Sequence, residues 1–279
     1  MEFGASIFFT DYSITPAELG VALEERGFDS VWAAEHSHIP VPRKTRADQD
    51  LGKRYYDVMD PFVTLTAAAC ATKRLKLATG IALIIQRDTI QTAKLVASID
   101  QISGGRFIFG IGGGWNQEEI QNHATVFATR MQKMREQIEA MKAIWTESKP
   151  EYHGEIVKFD TLMTWPKPVQ KPHPPVILGG AFPWAARRAV RYGDGWYPNA
   201  GSGNPEEYIP AFRKMAQEAG RDPKSLSLRL GGAPDDLDKL KHFRDLDIDA
   251  VNVTLMSDKR DEILPILDHW SGYIRQLRG

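Results

Sequence analysis

The first residues able to do chemistry fall in SVWAAEHSHIP, residues 30–40, where an apolar run ends in Glu35-His36-Ser37-His38. Successive side chains of an extended segment alternate, so the pattern predicts His36 and His38 on one side and Glu35 on the other. Such a group suits three purposes. Two imidazoles can begin a metal site. An imidazole can serve as a general acid or base. Polar groups can also simply mark where a strand meets water. A metal needs further ligands, and His123, His153, His173, His242 and His269 lie away from the predicted strand ends. No metal is therefore assigned. His36 is the candidate catalytic residue, and for His38 a role and a solvated strand end weigh equally.

Three glycine-bearing stretches follow. In GGRFIFGIGGGWNQEE, residues 104–119, a strand ends at Ile111 and runs into Gly112, Gly113, Gly114 and Trp115. Trp115 stands where a Rossmann fingerprint needs its third glycine, and no Gly-Lys-Ser/Thr follows, so neither phosphate motif applies. Either the turn needs positive φ, or a ligand approaches bare backbone with Trp115 as a flat apolar wall. In PPVILGGAFPWAARRA, residues 174–189, a strand ends in Gly179-Gly180-Ala181, and Pro183 opens a helix bearing Arg187 and Arg188. Free amides there form an anion site, or the segment is an ordinary strand–helix turn. In LKLATGIALIIQRDTIQTAK, residues 75–94, Thr79-Gly80-Ile81 suggests a bulge or a close approach. Arg87-Asp88 reads as an ion pair at a helix start.

The elements that must position these residues alternate regularly. Short β-branched or aromatic runs at 2–9, 29–34, 75–84, 107–112, 175–179, 194–198, 225–231 and 249–256 take turns with helical periods. The helices span 15–27, 60–73, 89–102, 126–147, 182–192, 204–220, 235–246 and 260–277. Thr15-Pro16, Asp60-Pro61 and Asn204-Pro205 each set a capping side chain before a helix-opening proline. Eight strand–helix pairs predict one domain over residues 1–279, an α/β TIM (β/α)8 barrel, because parallel strands need such crossovers. Insertions after strands 2 and 4, at 36–59 and 115–174, leave from the C-terminal end of the strands, where barrel chemistry gathers.

Composition narrows the function. The chain has 279 residues, 25% of them charged, with a formal net charge of −1. Arg187-Arg188 and Arg43-Lys44 are too short to count as patches, so neither nucleic acid nor an anionic membrane is implied. The lone Cys70 reads as a small buried hydrophobe. The N-terminus lacks a leader pattern, and a cytoplasmic location is expected. The helices at 60–73 and 89–102 carry more small and apolar residues than one inner face needs, which predicts a homodimer.

The segments GFDSVWAAEHSHIPVPRKTR, MDPFVTLTAAACATKRLKLATGIALIIQRDTIQTAK, LVASIDQISGGRFIFGIGGGWNQEE and FDTLMTWPKPVQKPHPPVILGGAFPWAARRAVRYGDGWYPN span residues 27–199. In order and spacing the chain resembles the bacterial-luciferase-like barrel enzymes, and within them the branch using the deazaflavin coenzyme F420. That resemblance implies hydride transfer between the deazaflavin C5 and a small organic substrate, with an FMN-dependent monooxygenase as the alternative. A carrier without catalysis and a metal-dependent hydrolase rank below both. The resemblance puts His36 at the deazaflavin ring and a bulge or cis peptide at Gly80-Ile81 behind it. Thr79, Gly112, Gly113, Gly114 and Trp115 then flank the ring, and Gly179, Gly180 and Ala181 take the phosphate. Glu35 is expected to pair inside the barrel wall. Two positions depart from the family pattern: Trp115 replaces a glutamate proton donor of some relatives, and Pro40 a tryptophan. The basic cluster that binds a sugar phosphate in one branch has no match.

Overall fold

The computed structural model describes residues 1–47, 49–198 and 203–279. Asp48, inside the predicted 36–59 loop, and Asn199, at the end of the segments quoted above, lie outside the described residues. The strands in chain order are β1 (Glu2–Ile7), β2 (Ser30–Ala33), β3 (Lys76–Thr79), β4 (Phe107–Ile111), β5 (Tyr152–His153), β6 (Lys158–Phe159), β7 (Val176–Gly179), β8 (Gly195–Tyr197), β9 (Ser227–Gly231) and β10 (Ala250–Thr254). Eight of them close a parallel barrel in the order β1-β10-β9-β8-β7-β4-β3-β2, and β5 with β6 forms a separate hairpin. The helices are α1 (Pro16–Glu25), α2 (Pro61–Ala71), α3 (Thr89–Ser103), α4 (Gln117–Asn122), α5 (Arg130–Thr146), α6 (Trp184–Tyr192), α7 (Pro205–Glu218), α8 (Leu237–Asp245) and α9 (Arg260–Arg278). This is the predicted TIM barrel, with the insertions where the sequence placed them. None of the described helices is long and apolar enough to cross a membrane.

Local chemistry explains the helix starts. Thr15 and Glu18 form a reciprocal capping box at α1, with Pro16 in the first position. The Asp60 carboxylate accepts the Phe62 amide at 2.8 Å at the head of α2, and Asn204 caps α7. Two expectations need correction. The predicted helix at 126–147 opens as a 3₁₀ turn, Phe127–Thr129, before α5. Cys70 is exposed. It sits on the outward side of α2 with Ala67 and Ala71, while Leu65, Ala68 and Ala69 face the barrel. A run of small residues hides which of them fall on the inner stripe.

The predicted strand 75–84 stops at Thr79. The Gly80–Ile81 peptide is cis, and the chain rejoins the sheet only through a bridge from Ala82 to Ile111. The break lies where β3 and β4 come unusually close. A Cβ on Gly110 would overlap the Thr79 carbonyl oxygen, and one on Gly80 would sit 2.8 Å from the Trp32 Cβ. Thr79 Oγ1 donates to the Gly110 carbonyl at 2.6 Å, and the Ala82 amide donates to the same oxygen at 2.8 Å. Inside the barrel Trp32, Ala78, Ile108, Ile177 and Tyr197 form their own apolar cluster, with Ile81 packed on it. The break thus leaves Ile81 above the lumen core, facing the barrel mouth. Gly110→Ala should lower the urea midpoint, through a stability loss of about 1–3 kcal/mol for forced overpacking against backbone. A midpoint equal to wild type would show that β3 and β4 can separate freely.

Candidate active site

The β2 strand ends at Ala33, and the next residues turn instead of continuing as a ribbon. Glu35 turns into the wall, as expected. Its Oε2 accepts the Leu83 amide at 2.6 Å and its Oε1 accepts Arg87 Nε at 2.7 Å. Burial raises the Glu35 carboxyl from its ordinary value, against the pull of Arg87. Burial also opposes the charge on Arg87, but Glu35 and Asp60 outweigh it and raise the guanidinium. Arg87 therefore pairs with Glu35 and Asp60 rather than with Asp88. Asp88 instead caps α3 through the Gln91 amide at 2.8 Å.

His36 turns toward the cavity. Its Nδ1 lies 2.8 Å from Oε2 of Glu119, with side-chain exposures of 7% and 0%. The same carboxylate accepts the Ser37 amide at 3.0 Å. Burial pushes the Glu119 carboxyl up, yet the His36 hydrogen bond and charge and the Ser37 amide bring it below its ordinary value. A carboxylate at Nδ1 fixes that nitrogen as the donor. Nε2 is then the ring nitrogen free to accept or deliver a proton. Glu119 was not singled out from the sequence. In the first turn of α4, beside Glu118, it resembles ordinary acidic complement to a helix N-terminus.

The expected same-side pair of histidines does not form. His38 bonds Ser37 Oγ through Nδ1 at 2.9 Å and Asn122 through Nε2 at 2.8 Å. It lies beside His123, with ring centroids 5.6 Å apart. Among the described residues no three His, Cys, Asp or Glu side chains converge so as to hold a metal ion. Glu118 secures the insertion above. It accepts the Lys44 and Thr45 amides at 2.6 and 3.0 Å. Its bond with the Thr45 side chain, with these amides, holds its carboxyl at about 2.

These elements surround a cavity of about 470 Å³ at the C-terminal mouth. His36, Gly80, Ile81, Gly113, Gly114, Trp115, Gly179, Gly180 and Ala181 all line it. Thr79 and Gly112 do not. Thr79 is fully buried and spends its hydroxyl on Gly110. A Cβ on Gly112 would overlap Ile81 Cδ1, so that glycine makes room for Ile81. Of the three consecutive glycines only Gly114 has positive φ, 63°. The phosphate segment also differs from expectation. The Gly180 amide donates to the Tyr197 carbonyl at 3.2 Å, and the α6 cap is Pro183, which has no N–H. Arg188 supplies positive charge at this wall instead, with a buried Nε that lacks a partner. Phe8, Tyr55, Leu83 and Met131 complete the apolar surface. The His36 ring lies 5.3 Å from Tyr55 and 5.6 Å from Trp115, centroid to centroid.

A parallel barrel whose C-terminal mouth joins a carboxylate-held imidazole to a glycine-edged cavity has the outline of a barrel enzyme's active site. The chain belongs to the luciferase-like monooxygenase family, whose sequence profile matches residues 15–234. It is 38% identical over 263 residues to the protein Rv0953c of Mycobacterium tuberculosis, covering 90% of each chain. It is 28% identical over 225 residues to an F420-dependent hydroxymycolic acid dehydrogenase of the same organism, covering 80% of this chain and 58% of the relative. The crystal structure of monooxygenase RslO1 from Streptomyces bottropensis has the same fold, with a TM-score of 0.82, 18% identity and full coverage of both chains. The protein is an oxidoreductase of this family.

Replacing Glu119 tests the pair. Its lowered value means that the carboxylate stabilises the fold above the ordinary glutamate value of about 4.3, and that this contribution is lost as pH falls through the lower folded value. Glu119→Ala should cost about 1–3 kcal/mol at pH 7, the penalty for stranding buried donors. The deficit should shrink in acid. Equal deficits at pH 7 and at pH 3 would show that the carboxylate charge contributes nothing.

Proposed function

We propose that the protein is a coenzyme F420-dependent oxidoreductase that exchanges a hydride with a small organic substrate. The observation carrying this reading is the buried His36–Glu119 pair, whose imidazole lines the same cavity as Ile81. The residues fit a deazaflavin. Ile81, Leu83 and Trp115 offer apolar faces to a ring, beside the backbone of Gly113 and Gly114. Gly179, Gly180, Ala181 and Arg188 would hold its phosphate. When bound, the cofactor supplies the hydride chemistry. The chain's own work is to orient and to move a proton. His36 exchanges a proton with the substrate oxygen through Nε2, and Glu119 stabilises the imidazolium while keeping Nδ1 protonated. Glu118 keeps the 36–47 segment over the mouth, which limits water. The F420-dependent relative at 28% identity supports the deazaflavin. The family's monooxygenases support the second reading, FMN with O₂ activation.

Two measurements test this. Purified protein titrated with F420 and with FMN should bind F420 more tightly. FMN binding with reductant-dependent O₂ consumption would favour the second reading. On a turned-over substrate, His36→Ala should lower kcat by roughly 10²-fold or more, the usual scale for an acid–base group, with little change in Tm. An unchanged kcat would remove His36 from the chemistry.

The homodimer also stands as a proposal, on a narrower surface than expected. Ala68, Ala69, Ala93, Val96 and Ala97 are buried within the protomer, while Val63, Ile90, Leu95 and Ile102 remain exposed on α2 and α3. Sedimentation should give a dimer at micromolar concentration, and a monomer there would reject the pairing.

A further inference from the structure

At the end of the barrel away from His36, where the strands begin, lies a cavity of about 390 Å³. Ile108 and Ile177 line it and also belong to the inner apolar cluster, so it sits on the underside of the lumen core. Arg74, Lys76, Arg106, Ser227 and Arg229 line it as well, with Asp194. Lys76 opens β3 and Ser227 opens β9. Arg229 follows two residues later, on the same side of its strand as Ser227. It is only 8% exposed, with its guanidinium carbon 5.9 Å from the centre of the Trp32 ring. Its Nη2 donates to Glu2 Oε2 at 3.0 Å. Its Nε and Nη1 are buried without a protein partner, and so is the Ser227 hydroxyl.

The charges around these atoms do not balance. Glu2 serves two cations, since its other oxygen takes Lys76. Arg106 spends its donors on the carbonyls of Ser103, Leu75, Ala69 and Thr72, which cancel none of its charge. Asp194 accepts the Val176 amide at 2.9 Å. Four cationic side chains thus face two carboxylates. This end of a barrel ordinarily serves stability. A buried charged donor without a partner works against stability, because it has given up water and gained no bond. Donors of this kind in a cationic cavity suit an oxyanion. We propose that Arg229 and Ser227 form a binding site for a small oxyanion of the phosphate class, with Lys76 adding positive charge. A guanidinium and a hydroxyl both donate to phosphate oxygens. Phe107 and Ile177 offer an apolar wall to the organic part of a phosphate monoester. The site shares no lining residue with the mouth and does not depend on which cofactor binds there.

The test is calorimetric titration of the full chain with inorganic phosphate and with phenyl phosphate, in about 0.15 M chloride to screen exposed charges. Wild type should bind. Arg229→Gln should bind at least about tenfold more weakly, and Ser227→Ala about fivefold, the scale of one hydrogen bond to a charged group. Anions held by arginines at the mouth survive both changes and drop out of the comparison. Arg229→Gln takes a partner from Glu2 and can cost folding. Ser227→Ala removes only an oxygen without a protein partner, so its Tm without ligand should match wild type, and it decides the matter alone if Arg229→Gln does not fold. Tighter binding of phenyl phosphate would uphold the site and identify an organic monoester as its ligand. Equal binding of the two probes would uphold it for the free ion. A titration unchanged in Ser227→Ala would overturn the inference, as would wild type binding neither probe.

Discussion

The carboxylate of Glu119 is the group on which the mouth of this barrel depends. An ionised carboxylate removed from water costs several kcal/mol unless donors surround it. Here the donors come from the far side of the chain's sequence, His36 and the Ser37 amide. Satisfying Glu119 therefore holds the post-β2 segment against α4. The adjacent Glu118 extends the hold to Lys44 and Thr45. Two neighbouring glutamates of one short helix thus order the insertion over the mouth and select the tautomer of the residue beneath it.

A different constraint shapes the floor. Gly80, Gly110, Gly112 and Gly179 each stand where a Cβ would strike Trp32, the Thr79 carbonyl or Ile81. Together they let β3 and β4 approach and let Ile81 leave the wall for the mouth. The glycines nearest a ligand are not all there for the ligand. Gly112 serves Ile81, while Gly179, whose Cβ would come within 3.0 Å of Ile81, both serves it and lines the cavity. Close packing of this kind leaves little freedom, since a single methyl group has nowhere to go.

The barrel was legible because its signals are local. Alternating runs, proline-opened helices and glycines at strand ends each identify themselves within a few residues. The placement of His36, Ile81 and Trp115 at the mouth was legible for the same reason. Glu119 was not, because its meaning comes from a contact 83 positions away and its local setting has an ordinary explanation. Arg188 was visible only as half of a basic dipeptide. Thr79 and Gly112 were assigned to the ligand because a sequence shows that a small or polar residue is needed at a strand end, but not which neighbour needs it. The alternation rule misplaced His38 because it holds only while the chain stays extended, and β2 stops at Ala33.

The charge distribution links the two halves of the site. Near His36 each buried carboxylate has partners: Glu35 has Arg87, and Glu119 has the His36 ring and the Ser37 amide. Charges paired in this way hold geometry and leave little net field for a ligand. Across the cavity, toward α6, the pattern reverses. Arg188 and its neighbours Arg187 and Arg191 have no carboxylate within 4 Å among the described residues. A ligand entering the mouth meets an imidazole at one end and a cationic wall at the other. On the proposed reading, that polarity would turn a ring toward His36 and its phosphate toward Arg188.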